Sequence, residues 1–177
     1  TFKTLNELNQ SEMRLGGLRI NPVTNISSSV NYINNVKLRK VSDSAEQQVK
    51  GLPKDALISN LMWSPNEKKI AFTHTTSNAV ELWVIDVASA QAKRLSTAKL
   101  NANLDNPFVW FKDSENLLVK VLPKNRPALL DASKDLPTGA IISNADGSVS
   151  QSRTYPDLLK NRNDEINFEN IACSELH

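Results

Sequence analysis

Between Leu61 and Ser96 apolar and polar positions alternate in short blocks separated by turn-forming residues. Ile70-Ala71-Phe72-Thr73 is a β-branched and aromatic run preceded by Ser64-Pro65-Asn66-Glu67 and two lysines. Proline's fixed φ suits the first central position of a turn, and asparagine tolerates the positions after it. Val80 to Asp86 gives a further strand, with Val80, Leu82 and Val84 on one face and Trp83, Ile85 and Val87 on the other. A strand apolar on both faces expects cover on both. A turn of small residues, Ala88-Ser89-Ala90, leads into a closing strand from Gln91 to Leu95. With Leu61-Met62-Trp63 ahead of the first turn, the pattern predicts a meander of strand, turn, strand, loop, strand, turn, strand.

The pattern recurs. The segment from Phe108 to Val119 lies over the one beginning at Leu61 without a gap: Trp63 maps to Trp110, Ile70 to Leu117 and Phe72 to Val119, an offset of 47 residues (63 to 110). Propeller blades recur at roughly 40–50 residues. The strands by themselves also fit a meander in a β-sandwich, and the repeat favours the propeller. A closed propeller needs at least about four such blades, so the chain is expected to be a piece of a larger one. The predicted fold is mainly β: an incomplete β-propeller of two to three blades, with one or two short inserted helices near the C-terminus. Residues 56–96 form one blade, 104–122 begin the next, and 26–42 supply a partial one.

Outside the blades the signals are local. Residues 4–14 read as a short helix ended by Gly16-Gly17, and Leu18-Arg19-Ile20 as an extended segment stopped by Asn21-Pro22. Asn25-Ile26-Ser27 fits a glycosylation sequon and reads more simply as a polar turn. Ser28 to Tyr32 and Val36 to Val41 read as a hairpin around Asn34-Asn35. Residues 123–150 are a proline-rich loop followed by a hairpin at Asp146-Gly147. Residues 154–171 read as a helical insert opened by Thr154 and Pro156, with a second start at Asn163-Asp164-Glu165. The chain ends, at Cys173 to Leu176, where another strand would begin.

Composition narrows the function. Lysine and arginine number 21 against 19 acidic residues, a formal charge of +2, with no basic run or basic–aromatic stripe of the kind that binds nucleic acid. No apolar run approaches the length of a membrane span. The single cysteine, Cys173, excludes an internal disulfide.

Catalytic chemistry is equally sparse. A Gly-x-Ser-x-Gly elbow needs glycines four apart, and none of the five glycines has that spacing. Of the two histidines, His74 lies at the end of a strand as an edge residue and His177 is the last residue. Two histidines and one distant cysteine do not make a zinc site, and no phosphate-binding glycine loop occurs. The residues assign no catalytic group, no metal and no cofactor.

Five segments carry a resemblance: LGGLRINPVTN (15–25), GLPKDALISNLMWSPNEKKIAFT (51–73), ELWVIDVASAQAKRLS (81–96), PFVWFKDSENLLVKVLP (107–123) and SRTYPDLLKNRNDEINFE (152–169). In this order they resemble the glutamyl endopeptidase-like serine peptidases of the prolyl oligopeptidase family, a group related to dipeptidyl aminopeptidases and acylaminoacyl peptidases. The LRINP and RTYPDLLKN elements are the specific ones. The resemblance implies a parent with an N-terminal propeller and a following α/β-hydrolase domain that holds the Ser, Asp and His of the triad, absent from this chain. It implies that the propeller gates the cleft by substrate size and partly lines it. Its partners would be that catalytic domain and a peptide substrate, with no nucleic acid and no membrane span. The compartment would be a plastid in plant relatives and the periplasm or exterior of a bacterium.

If the substrate residue is glutamate, a cation should meet it. Arg19 and Arg153 lie in the two specific elements and are the candidate substrate-binding residues. The familiar Asp-Gly of the blade turn is Asn66-Glu67 here, and a Gly-Pro after the proline-rich loop is Gly139-Ala140. The rival reading is a propeller that only binds, as in periplasmic scaffold modules; a third is a small β-domain that folds alone. As an incomplete propeller the chain is expected to self-associate through apolar faces and open strand edges.

Overall fold

The computed structural model describes residues 10–42, 44–131 and 158–177. These are mainly β, arranged in four small antiparallel sheets with one helix and no closed barrel among the described residues. The strands are β1 (Met13–Leu15), β2 (Leu18–Asn21), β3 (Ile26–Ser27), β4 (Lys37–Arg39), β5 (Glu46–Gln48), β6 (Ile58–Trp63), β7 (Lys69–Thr75), β8 (Val80–Asp86), β9 (Gln91–Arg94), β10 (Phe108–Trp110), β11 (Leu117–Val121) and β12 (Glu175–Leu176). The helix α1 spans Arg162–Ala172.

The predicted meander is the four-stranded sheet β6-β7-β8-β9. Both of its faces are covered, as its two-sided apolar pattern requires. Ala71, Val80 and Leu82 pack with Ile26, Leu100, Ala102 and Phe108 on one side. On the other, Ile58, Ile70, Phe72, Ile85 and Ala92 pack with Val49 and Ala56. Fully burying one of the valine, leucine, isoleucine or phenylalanine side chains contributes about 1.5–3 kcal/mol, so a sheet with two packed faces is the natural centre of the structure. A bulge interrupts β6 between Ser59 and Met62, where Asn60 takes φ +51°.

The repeat holds in the pairing register. Trp63 pairs with Ile70 and Met62 with Ala71 across β6–β7; Trp110 pairs with Leu117 and Val109 with Leu118 across β10–β11. The turns repeat as well. Ser64 N–H donates to Lys69 O (2.8 Å) and Glu67 N–H to Ser64 O (2.9 Å), while Phe111 N–H donates to Asn116 O (3.0 Å) and Ser114 N–H to Phe111 O (3.1 Å). The two units lie side by side. Trp110 Nε1 donates to Met62 O at 3.2 Å, Asn66 N–H to Ser114 Oγ at 3.1 Å, and Lys69 Nζ meets Glu115 Oε2 at 2.6 Å. β12 extends the second unit by pairing with β11.

Two local expectations are corrected. Gly16-Gly17 does not end a helix running to residue 14: Met13–Leu15 is a strand, and the two glycines form the β1–β2 hairpin turn. Their φ values of +57° and +82° are what a tight hairpin turn needs at consecutive positions, and glycine supplies them without strain. Residues 1–9 lie outside the described set. Nor do Ser28–Tyr32 and Val36–Val41 pair around Asn34-Asn35. Lys37–Arg39 pairs instead with Glu46–Gln48, while Ile33 bridges to Ile58 at the edge of the central sheet. Tertiary pairing with β6 outweighs the local turn signal.

The sequon reading of Asn25 gives way to the polar turn. Asn25 is 3% exposed, has φ +61° and donates from Nδ2 to Val23 O.

Helix α1 starts one residue before the predicted second start. Asn161 caps it by accepting from Asp164 N–H at 2.9 Å, the usual role of an asparagine at this position. Its apolar face, Phe168 and Ile171, packs on Leu15 and Ile20 of the first sheet. Asn101 Nδ2 clasps the far end, within 2.8 Å of Ile171 O and 3.0 Å of Cys173 O. The predicted helix opening at Thr154 to Asp157, the hairpin at Asp146-Gly147 and most of the proline-rich loop fall outside the described residues.

Candidate functional site

The β6-β7-β8-β9 sheet has two ends. One carries the Ser64–Lys68 turn; the other carries the β7–β8 turn and the lead-in to β6. At this second end the sheet meets the β2–β3 turn across an open groove of about 700 Å³.

Each wall is fixed by local chemistry. In the β2–β3 turn Pro22 follows Asn21, whose Oδ1 accepts from Val23 N–H (3.0 Å) and Thr24 N–H (3.2 Å), the side-chain turn that asparagine favours. In the β7–β8 turn the Thr76 hydroxyl accepts from Ala79 N–H at 3.1 Å. Opposite, Leu57 N–H donates to His74 Nδ1 at 3.2 Å, and its carbonyl accepts from Thr75 N–H at 3.0 Å.

The groove is lined mostly by uncharged polar residues, with apolar atoms making up the larger part of its exposed wall. Burial holds the His74 imidazole below its ordinary pKa, with Arg94 adding to the effect and Glu81 opposing it. A neutral ring that accepts at Nδ1 carries its proton on Nε2. Lys54 and Asp55, on the same wall, cancel. Two more lining residues, Thr24 and Thr75, are each 5% exposed, and their hydroxyl oxygens have no hydrogen-bond partner among the described residues. A buried unsatisfied hydroxyl is costly and calls for an account. Those two oxygens are closed off from the groove, and the wall as a whole suits a neutral ligand that combines apolar groups with donors and acceptors. Among the described residues the His74 ring hydrogen-bonds only to the main chain of Leu57, so they contain no serine–histidine couple here.

The arginine candidates fall elsewhere. Arg19 sits on the exposed face of β2, paired in register with Arg14. It is a lesser influence on Glu12, whose carboxyl is held below its usual range by the Ser28 hydroxyl and then by Arg14. Arg19 does not line the groove among the described residues, and Arg153 lies outside them.

The sequence reading missed Arg126. It follows β11 between Pro123 and Pro127, and its guanidinium is half-buried. Nη1 donates to Asn25 Oδ1 at 2.6 Å, and Arg126 N–H donates to Pro123 O at 3.2 Å. Burial lowers its pKa, and no carboxylate among the described residues lies within ion-pair distance. A cationic residue between two prolines was a weak signal, because its partner lies 101 residues away.

Among the described residues no group of three His, Cys, Asp or Glu could hold a metal ion. No helix among them is long and apolar enough to cross a membrane.

With this geometry in place, comparison with known proteins adds a direction. No family model matches the sequence. The chain is similar to a rice protein, 33% identical over 186 residues, and to one from Arabidopsis thaliana, 31% identical over 186 residues. Both are named "Probable glutamyl endopeptidase, chloroplastic". The similarity covers 97% of this chain but only 20% and 19% of the relatives, so the chain spans about one fifth of their length. It therefore takes in both repeated units, the groove and Arg126 within a single alignment.

Proposed function

We propose that this chain is a non-catalytic propeller portion of a serine peptidase of the glutamyl endopeptidase kind, in which it gates and partly lines the substrate cleft. The single observation behind the propeller is the repeat. Two successive units share register, turn hydrogen bonds and turn backbone, and touch at their turns and at Trp110. The names of the two relatives support the peptidase.

In this reading the β6-β7-β8-β9 sheet and the β10-β11-β12 sheet are consecutive blades, and the groove beside His74 carries the main chain of a bound peptide. A peptide backbone is neutral and offers a donor and an acceptor at each residue, which matches a wall of mostly uncharged polar residues. Hydrolysis belongs to a Ser-His-Asp triad on a separate α/β-hydrolase domain.

The test is made on the intact protein that carries this chain, with an antibody to this region and a fluorophosphonate probe for reactive serines. The peptidase reading expects an antigen several-fold larger than 177 residues that takes the probe. A large antigen that never labels reassigns the blades to a propeller that only binds.

A further inference from the structure

We infer that Arg126, braced on Asn25, is a receptor for a carboxylate group of the ligand that occupies the neighbouring groove. The inference deepens the proposed peptide-binding role and rests on it for the ligand's position; the charge argument is separate.

A guanidinium partly withdrawn from water favours an anion or further acceptors. Arg94 meets Glu81 at 3.1 Å, Arg14 meets Glu12 at 2.8 Å and Arg162 meets Glu165 at 2.7 Å. Arg126 has only the neutral Oδ1 of Asn25 among the described residues, although it is one of the more buried arginines. One Nη is engaged, and the remaining donors of the planar fork are left for a ligand, the geometry that carboxylates accept in pairs.

The brace is itself rigid. Asn25 is buried in the left-handed region. Its N–H donates to Asn21 O at 2.9 Å, its carbonyl accepts from Ala102 N–H at 2.9 Å and its Nδ2 donates to Val23 O at 3.3 Å. An arginine anchored on such a platform loses little further freedom on binding. Position supports the assignment. Val23 and Thr24 line the groove; Asn25, the next residue of the same turn, does not, and it ties Arg126 to that turn through Nη1. The groove reads the neutral main chain and Arg126 reads an acidic group attached to it.

The carboxylate has two sources, an acidic side chain or a chain terminus, and three capped residues separate them. Equilibrium binding to the intact protein is measured for N-acetyl-Glu-N-methylamide, N-acetyl-Gln-N-methylamide and N-acetyl-Gln with a free carboxylate, with wild type, Arg126→Gln, Arg126→Lys and Asn25→Asp. Wild type is expected to prefer the glutamyl over the glutaminyl amide by tenfold or more. Arg126→Gln should bring that ratio to about one, and Arg126→Lys should keep part of it. Asn25→Asp is the decisive variant: it keeps the acceptor at Oδ1 and tolerates the same φ, gives up the Nδ2 bond to Val23 O, and supplies Arg126 with an internal anion, so the ratio should collapse in a protein shown to be folded by its urea midpoint. A preference for the free-carboxylate residue that disappears in Arg126→Gln supports the receptor and assigns it to a chain terminus. A wild-type ratio of one for both acids, or a ratio unchanged in Arg126→Gln and Asn25→Asp, overturns the inference. An intact protein that fails to take the fluorophosphonate probe but keeps the Arg126-dependent ratio loses the peptidase reading and retains this one.

Discussion

Glu67 and Ser114 occupy the same left-handed turn position in the two repeated units, at φ +58° and +61° and 47 residues apart (67 to 114). Each donates its N–H to the residue three before it, Ser64 or Phe111. Neither is a glycine, although an L-residue in this region costs about 1–2 kcal/mol.

The two positions should respond to glycine with opposite sign. Glu67 is exposed and its side chain makes no hydrogen bond among the described residues, so Glu67→Gly should stabilise by about 1 kcal/mol. Ser114 is 2% exposed and its hydroxyl accepts from Asn66 N–H across the contact between units. Removing it leaves that donor unmet at a cost of about 1–3 kcal/mol, which offsets the backbone gain. Urea midpoints should therefore rise for Glu67→Gly and stay level or fall for Ser114→Gly. A rise in both would mean that the contact between the turns contributes nothing.

Gly16 and Gly17 offer a second paired test. Both have positive φ, so alanine strains either one. A Cβ on Gly16 would come within 3.1 Å of Phe168 Cε2, whereas one on Gly17 meets nothing within 4 Å among the described residues. Gly17→Ala should cost about 1–2 kcal/mol, and Gly16→Ala more, because it also pushes α1 off the first sheet. Equal urea midpoints for the two variants would contradict the packing of Phe168 over the hairpin.

His74 sets a pH dependence whose sign follows from its burial. Its folded pKa lies below the unfolded value near 6.5, so the unfolded chain binds the proton first. The contribution is full above about pH 6.5 and is lost as the pH falls through that value toward the folded pKa. His74→Asn supplies an alternative acceptor for Leu57 N–H and does not titrate. Stability measured between pH 7.5 and pH 5, on the order of one unit either side of the ordinary histidine value, should fall less steeply in the variant. Superimposable profiles would remove His74 as the cause.

These pairs also indicate which parts of the structure were legible in the sequence. The central meander was readable because its alternation, its turn residues and its two-sided apolar pattern are local, and the tryptophan at 63 and 110 fixed the repeat. The hairpin at Gly16-Gly17 was misread because two glycines signal a helix end and a tight turn alike. The pairing of Lys37–Arg39 was missed because Ile33 is drawn to Ile58, a tertiary choice that no local window contains. At the groove, Asn21 and His74 stood out as residues, but not their neighbourhood with Thr24 and Thr75. Arg126 was hidden for the same reason, since its contact with Asn25 joins distant segments. Arg19 drew notice from its motif and lies on an exposed strand face.

The chain by itself should associate and should not hydrolyse peptides. Trp63, Phe111 and Leu176 are 52%, 50% and 65% exposed, large apolar side chains beside the contact between the repeated units that favour burial against another copy. Light scattering of the isolated 177-residue chain should show a mass that grows with concentration. Glutamyl-peptide amidase activity should be absent. A monomer at all concentrations, or turnover blocked by a serine-directed inhibitor, would contradict the two expectations in turn.

The most direct measurement is to photo-crosslink a diazirine-bearing capped glutamyl peptide to the intact protein and locate the adducts by mass spectrometry. The account predicts adducts in this chain at the groove end of the sheet, within residues 21–25, 54–57 and 74–77. Adducts confined to the opposite turns, at 64–68 and 111–116, or absent from this chain altogether, would contradict it.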